Sequence, residues 1–350
     1  MSVFLSSKNM HPFLASAKLV FITCVAQITF LSPLFGQQEE KSIHFETDFW
    51  GYADNREYKT PYTVDQTIIG ARISPVFHFS LDKHHHLYGG VHYQKDFGSR
   101  NQDLVNPIAY YNYKSEKIDF YIGHAPRLTL LEDLHYAALS SNFLYDRPNV
   151  EGLLFHYHGE RFNQKLFIDW TSKQSEEHRE QFIVGWTGKS QFGNFFLQND
   201  AILWHNALTK DSDPDEHIRD NAMVMIRPGY DFSSLTGLDV FHLDVGFLAS
   251  IDRIRTEYDF QFTKGFISNL EVQWKNYLLK NTFYTGEGNA LPLADPYYYS
   301  KTYNRTDLGW IPFRNQAVEA ELLLSFHAAP GHFDNQQFFK LKYHIGQKLF

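Results

Sequence analysis

Eighteen histidines and forty acids give this 350-residue chain ample material for acid–base chemistry, yet their spacing forms none of the local patterns such chemistry uses. No nucleophile elbow presents a serine, and no HExxH pair shares a helical face. Cys24 is the only cysteine, so no paired-thiol metal site can form. Asp211, Asp213 and Asp215 in "DSDPDEHIRDN" have the alternate spacing of a calcium loop. Pro214 and the absence of a following glycine depart from that loop, and an acidic solvated segment is the better reading. His84, His85 and His86 in "KHHH" read as polar turn sequence rather than as metal ligands. Tyr297, Tyr298, Tyr299 and Tyr303 offer either a surface for sugar rings or an interfacial anchor. On these residues the chain is expected to be no enzyme and to need no metal or cofactor.

The elements that would position any site are strands. "ISNLEVQWKNY" sets Leu270, Val272 and Trp274 against Asn269, Glu271, Gln273 and Lys275, the period-two pattern of a strand with one apolar face. "QKLFIDWTS", "DVFHLDVGFLASID", "AVEAELLLSF" and "IHFETDF" alternate in the same way, and about sixteen such segments are counted (14–18). With no alternating helices between them, a parallel α/β sheet is excluded. The connections run long, short, long, short from end to end. "NREYKTPYTVD", "DFGSRNQDLVN", residues 124–149, 172–180, 206–220, 252–264, 285–302 and 328–335 are the long set. A Greek-key sandwich gives no reason for this regularity, whereas an up-and-down barrel inserted from one side requires it. The fold expected is all-β: one transmembrane antiparallel barrel, residues 37–350, with one short helix in its third long connection.

The first 36 residues are different. Lys8 and Lys18 are their only Lys, Arg, Asp or Glu, and Leu19 to Phe35 is almost wholly apolar. They read as a secretory signal peptide cut near Gly36, a single membrane anchor being the alternative. The remainder then holds 30 basic against 40 acidic residues, a balance that excludes nucleic acid as a partner. Aromatics make up 17% of the chain, and Trp50, Trp170, Trp186, Trp274 and Trp310 are expected at the membrane interfaces.

With these features the chain resembles porin-like outer-membrane β-barrels of Gram-negative bacteria. The last strand, "FFKLKYHIGQKLF", ends at Phe350 in a manner similar to the assembly signal of that class, although its apolar residues lie on the opposite parity from Phe350. The resemblance implies outer-membrane lipid as surroundings, the barrel-assembly machinery as a partner, and room for a homo-oligomer. A barrel of about sixteen strands is too wide for side chains to fill, so the polar faces should line water. Strand parity assigns Glu46, Asp48, Arg72, Asp169, Asp244, Glu271, Lys275, Glu319 and Glu321 to that lining. In classical porins the third long connection narrows the pore. Here "HAPRLTLLEDLHYAALSSNFLYDRPN" would bring Arg127, Glu132, Asp133, Asp146 and Arg147 to a constriction, or else rest on the rim. The function expected is passive passage of small hydrophilic solutes; the alternative is a structural, adhesive or ligand-binding barrel without an open pore, with a barrel hydrolase the lesser alternative.

Overall fold

The computed structural model describes residues 41–349 other than 102, 214 and 290, and places them in one closed antiparallel barrel. Its strands are β1 (Ser42–Glu57), β2 (Gln66–Ser80), β3 (His85–Asp96), β4 (Leu104–Lys114), β5 (Ile118–Pro126), β6 (Asn149–His158), β7 (Phe162–Ser172) and β8 (Gln181–Phe192). They continue as β9 (Phe195–Asn206), β10 (Arg219–Asp231), β11 (Val240–Ile254), β12 (Gln261–Trp274), β13 (Tyr277–Gly286), β14 (Thr302–Arg314), β15 (Val318–Ala329) and β16 (His332–Lys348). Each strand pairs with its neighbours in sequence, and β16 closes the ring on β1 through a register running from His44–Lys348 to Glu57–Asn335. Closure gives every strand a partner on each side. The expected leader and Phe350 lie outside the described residues.

Alternation explains which way each strand faces. Along β12 the alternate residues Gly265 and Ile267 are buried, while Phe262, Phe266 and Trp274 are exposed on the outer wall. Phe247 and Phe262 are exposed at 74% and 75%, and such an apolar belt is tolerable only against lipid. Trp170, Trp186, Trp274 and Trp310 all face outward. Trp50 does not: it shares the inward parity of Tyr52 and Asp54 and is buried against Tyr145, with ring centroids 5.2 Å apart. The interfacial position expected for Trp50 is therefore corrected, because its parity follows the polar face of β1.

One rim carries the longer connections, though less regularly than the sequence suggests. The expected long connection at 328–335 is a two-residue hairpin, residues 330–331, in which Gly331 takes the left-handed conformation (φ 77°) that a side chain would resist. The helical turn expected in the third long connection is present in two pieces, α1 (Arg127–Leu130) and α2 (Ser141–Asp146). Ser140 caps α2 by accepting from Phe143 N.

That connection lies inside the barrel. Its residues hydrogen-bond or pair with Arg56 on β1, Lys165 on β7, Asn269 on β12 and Lys342 on β16, and strands so far apart around the ring can be reached together only from within. Leu131, Leu134, Ala137, Ala138 and Leu139 form one buried cluster with inward Leu154, Phe167, Ile183, Ile202, Met223, Met225, Leu248 and Ile267. Each leucine buried this way contributes about 1.5–3 kcal/mol. Residues 287–301 join the same cluster through Leu291, Ala294, Tyr297 and Tyr298. Tyr297 donates to Asp334 at 2.6 Å and stacks on Tyr303, and Tyr298 packs beside them, so these three fill the lumen rather than present a surface for sugars, while Tyr299 is 43% exposed.

Candidate active site

Strands β2, β3 and β6 bring together three residues that share no local motif. Ser74 and His92 are inward residues of β2 and β3, and Asn149 opens β6 where the third long connection returns to the wall. Ser74 Oγ lies 2.7 Å from His92 Nδ1, and His92 Nε2 lies 3.0 Å from Asn149 Oδ1. The Asn149 amide also donates from Nδ2 to the carbonyl of Pro107 at 2.7 Å. That bond fixes the orientation of the amide, so its oxygen is the atom facing His92. Nε2 must then carry the imidazole proton, and Nδ1 is left to accept from the Ser74 hydroxyl. A serine, a base and a group that orients the base are the parts of an activated nucleophile. All three residues are buried. Ser74 and His92 line a cavity of about 350 Å³ together with Trp50, Arg72, Val76, Ile108 and Leu128.

A family model described as lipid A 3'-O-deacylase-type matches residues 35–346. The chain belongs to the lipid A 3'-O-deacylase-type family. A family named for an enzyme overturns the expectation that the chain is not one. The expectation failed because it was drawn from local motifs, whereas a site assembled across separate strands has none.

The barrel is also similar to solved structures. Outer-membrane expressed OmpT of Vibrio cholerae matches at a TM-score of 0.55 and 11% identity, covering 89% of this chain and 99% of that one. An anion-selective porin from Comamonas acidovorans matches at 0.53 and 8% identity, covering 87% and 99%. At such identities the likeness is one of fold, and it agrees with the porin-like architecture expected from the sequence. No curated protein matches the chain.

Six of the nine residues assigned to the lining border one of two cavities. Asp48, Arg72 and Glu319 border the cavity of Ser74. Asp244, Glu271 and Glu321 border a larger one, about 600 Å³, that shares Trp50, Leu128, Glu132 and Lys342 with the first. Most are paired: Asp48 with His344 at 2.7 Å, Glu271 with Lys280 at 3.0 Å, Glu319 with Arg314 at 2.6 Å, Asp244 with Arg227 at 3.4 Å, and Glu321 with Lys340. Glu46 lies 3.7 Å from His78. Arg72 donates to Gln94 and to the carbonyl of Tyr145. Lys275 is not on the wall. It occupies the turn after β12 with φ 53° and lies over the Trp274 ring, which turns its side chain away from the lumen.

Of the charges on the third long connection, Glu132 borders both cavities and stands 4.0 Å from Lys342, and Asp133 pairs with Lys165 at 2.9 Å. Arg127 and Asp169 meet in a buried pair, while Arg147 donates to the carbonyl of Thr171. Asp146 ends α2 without bordering either cavity. Asp82 in the "KHHH" turn accepts from the backbone of His84 and His85. Near Asp211, Asp215 N donates to Asp213. Among the described residues no group of three or more His, Cys, Asp or Glu is arranged to hold a metal.

Proposed function

We propose that this barrel is an outer-membrane hydrolase that cleaves acyl esters of lipid A, the substrate in its family's description. The observation that carries the reading is the Ser74–His92–Asn149 chain bordering a cavity of about 350 Å³. In this reading Ser74 Oγ attacks the ester carbonyl carbon while its proton passes to His92 Nδ1. The bond from that carbon to the sugar oxygen then breaks, and His92 returns the proton to the departing oxygen. Water repeats the relay on the acyl–Ser74 ester and releases the fatty acid. Asn149 keeps the imidazole in the required tautomer. Arg72, two residues from Ser74 on the same face, brings a cation to the cavity wall where negative charge develops.

The test is fatty-acid release from lipid A by the purified barrel in detergent, followed by mass spectrometry. Release by the wild type and its loss in Ser74→Ala support the reading; release unchanged in that variant removes it.

A second reading, passive diffusion of small hydrophilic solutes, is favoured by the larger cavity of about 600 Å³ and its charges of both signs. Against it stands the apolar cluster that the third long connection builds across the lumen. Conductance across planar bilayers discriminates between the two.

A further inference from the structure

The wall of the barrel is not hydrogen-bonded all the way up beside Ser74. Strand β4 pairs with β3 as far as Leu104, but its pairing with β5 stops at Ala109–His124. Residues 104–108 of β4 therefore face β5 without ladder bonds. On the other side, β6 pairs with β7 only from Gly152–Asp169 downward. The tip of the β5–β6 hairpin, residues 125–126 and 149–151, thus has ladder pairing within itself and with neither neighbour.

Sequence explains the gap. Pro107 and Pro126 stand at its two lips and have no N–H to contribute. Gly123, one residue before the last β4–β5 pair, takes φ 123°, and a side chain there would meet the carbonyl of Ala109 at 2.2 Å. Side chains stitch what the backbone leaves open. Asn149 Nδ2 donates to the carbonyl of Pro107, and Asp169 Oδ1 accepts from Glu151 N.

We propose that this seam between β4 and the β5–β6 tip is the lateral passage by which the acyl chain of a membrane lipid reaches Ser74. The inference rests on the hydrolase reading above and adds the route of the substrate. The seam leads to the right place, because the residue that stitches it, Asn149, is the one that holds His92. Its outer lip is apolar, with Val105 61% exposed, and the cavity inside is bordered by Ile108 and Leu128. Beside it His124 and Glu151 face outward 3.9 Å apart, and ionisable groups on a lipid-facing wall belong at the level of polar head groups. The cavity also extends toward the short-turn rim, where Ala317, Val318 and His344 border it, and that is the rival route.

The seam is tested without hydrolysis. The Ser74→Ala, Cys24→Ser barrel is reconstituted in phosphatidylcholine vesicles containing lipid A with a diazirine-tailed acyl chain, irradiated, and the labelled peptides are mapped. The passage predicts label on Leu128 and Thr129 inside as well as on Val105 outside. Adding Pro107→Cys and Pro126→Cys and oxidising the pair should lower the inner label about tenfold, leave label on Phe247 unchanged, and be reversed by reductant. Where the pair does not oxidise, Val105→Trp is the obstructing variant and carries the same expectation. Inner label absent, or equally strong with the seam closed, overturns the passage. The fate of Ser74 as nucleophile is read separately, from fatty-acid release.

Discussion

Arg127 and Asp169 meet at 2.5 Å with both side chains about 1% exposed, joining the start of the third long connection to the inner face of β7. The contact is ionic rather than a well-formed hydrogen bond: the Asp169 oxygen involved has no donor in line, and Arg127 spends Nε and Nη2 on the carbonyls of Arg147 and Asn149. Removing one member of such a pair strands the other in a dry site, at a cost of about 3–5 kcal/mol. Asp169→Ala should therefore lose that much stability and unseat the connection, while Arg127→Met with Asp169→Leu should lose much less. Urea unfolding of the detergent-solubilised barrel, followed by tryptophan fluorescence, measures both. A single variant as stable as the double would show that the pair does not anchor the connection.

The connection should also control the passage of ions. Leu134 and Leu139 are buried in the cluster that crosses the lumen. Leu134→Asp with Leu139→Asp should expel the segment and raise single-channel conductance well above that of the wild type. Equal conductance in planar bilayers would mean that the cluster is not what closes the barrel.

Outside the membrane-spanning part, the β2–β3 turn should respond to acid. Partial burial pushes the Asp82 carboxyl up, but the backbone N–H groups of His84 and His85 outweigh it and hold the carboxyl below its ordinary value. A carboxylate with a depressed folded value stabilises above its unfolded value, and the contribution is lost as pH falls through the folded one. Asp82→Ala should cost less than about 1 kcal/mol at neutral pH, because water screens this exposed turn, with the difference from wild type shrinking in acid. A difference independent of pH would remove the charged form of Asp82 from the account.

Much of this architecture was legible in the sequence. Alternation such as Leu270, Val272 and Trp274 against Asn269 and Glu271 gave the barrel, since period two with one apolar face has few other solutions. The filled lumen was harder to read. Ile183, Ile202, Met223 and Leu248 are apolar on the inward parity, a departure hidden among strands whose outward faces are also apolar. Ser74, His92 and Asn149 had no local signal at all, because register between separate strands, not spacing, brings them together. Inward parity on β2 and β3 would have offered Ser74 and His92 as lumen residues. Nothing short of the fold would have added Asn149.

In the proposed mechanism Asn149 acts through His92, so its removal should lower kcat more than it raises KM. Asn149→Ala is expected to cut kcat for ester hydrolysis about 10²-fold, and His92→Ala by about 10²–10⁴-fold. Steady-state kinetics on a soluble short-chain ester, which needs no passage through the wall, gives the split. An Asn149→Ala enzyme with unchanged kcat would leave His92 without its orienting partner.

Ser74 should carry the acyl group during turnover. Rapid acid quench during turnover of lipid A, followed by peptide mass spectrometry, should find the acyl chain esterified to the peptide containing Ser74 and absent from the Ser74→Ala protein. Fatty-acid release by Ser74→Ala at the wild-type rate, with no acylated peptide in either protein, would contradict the account.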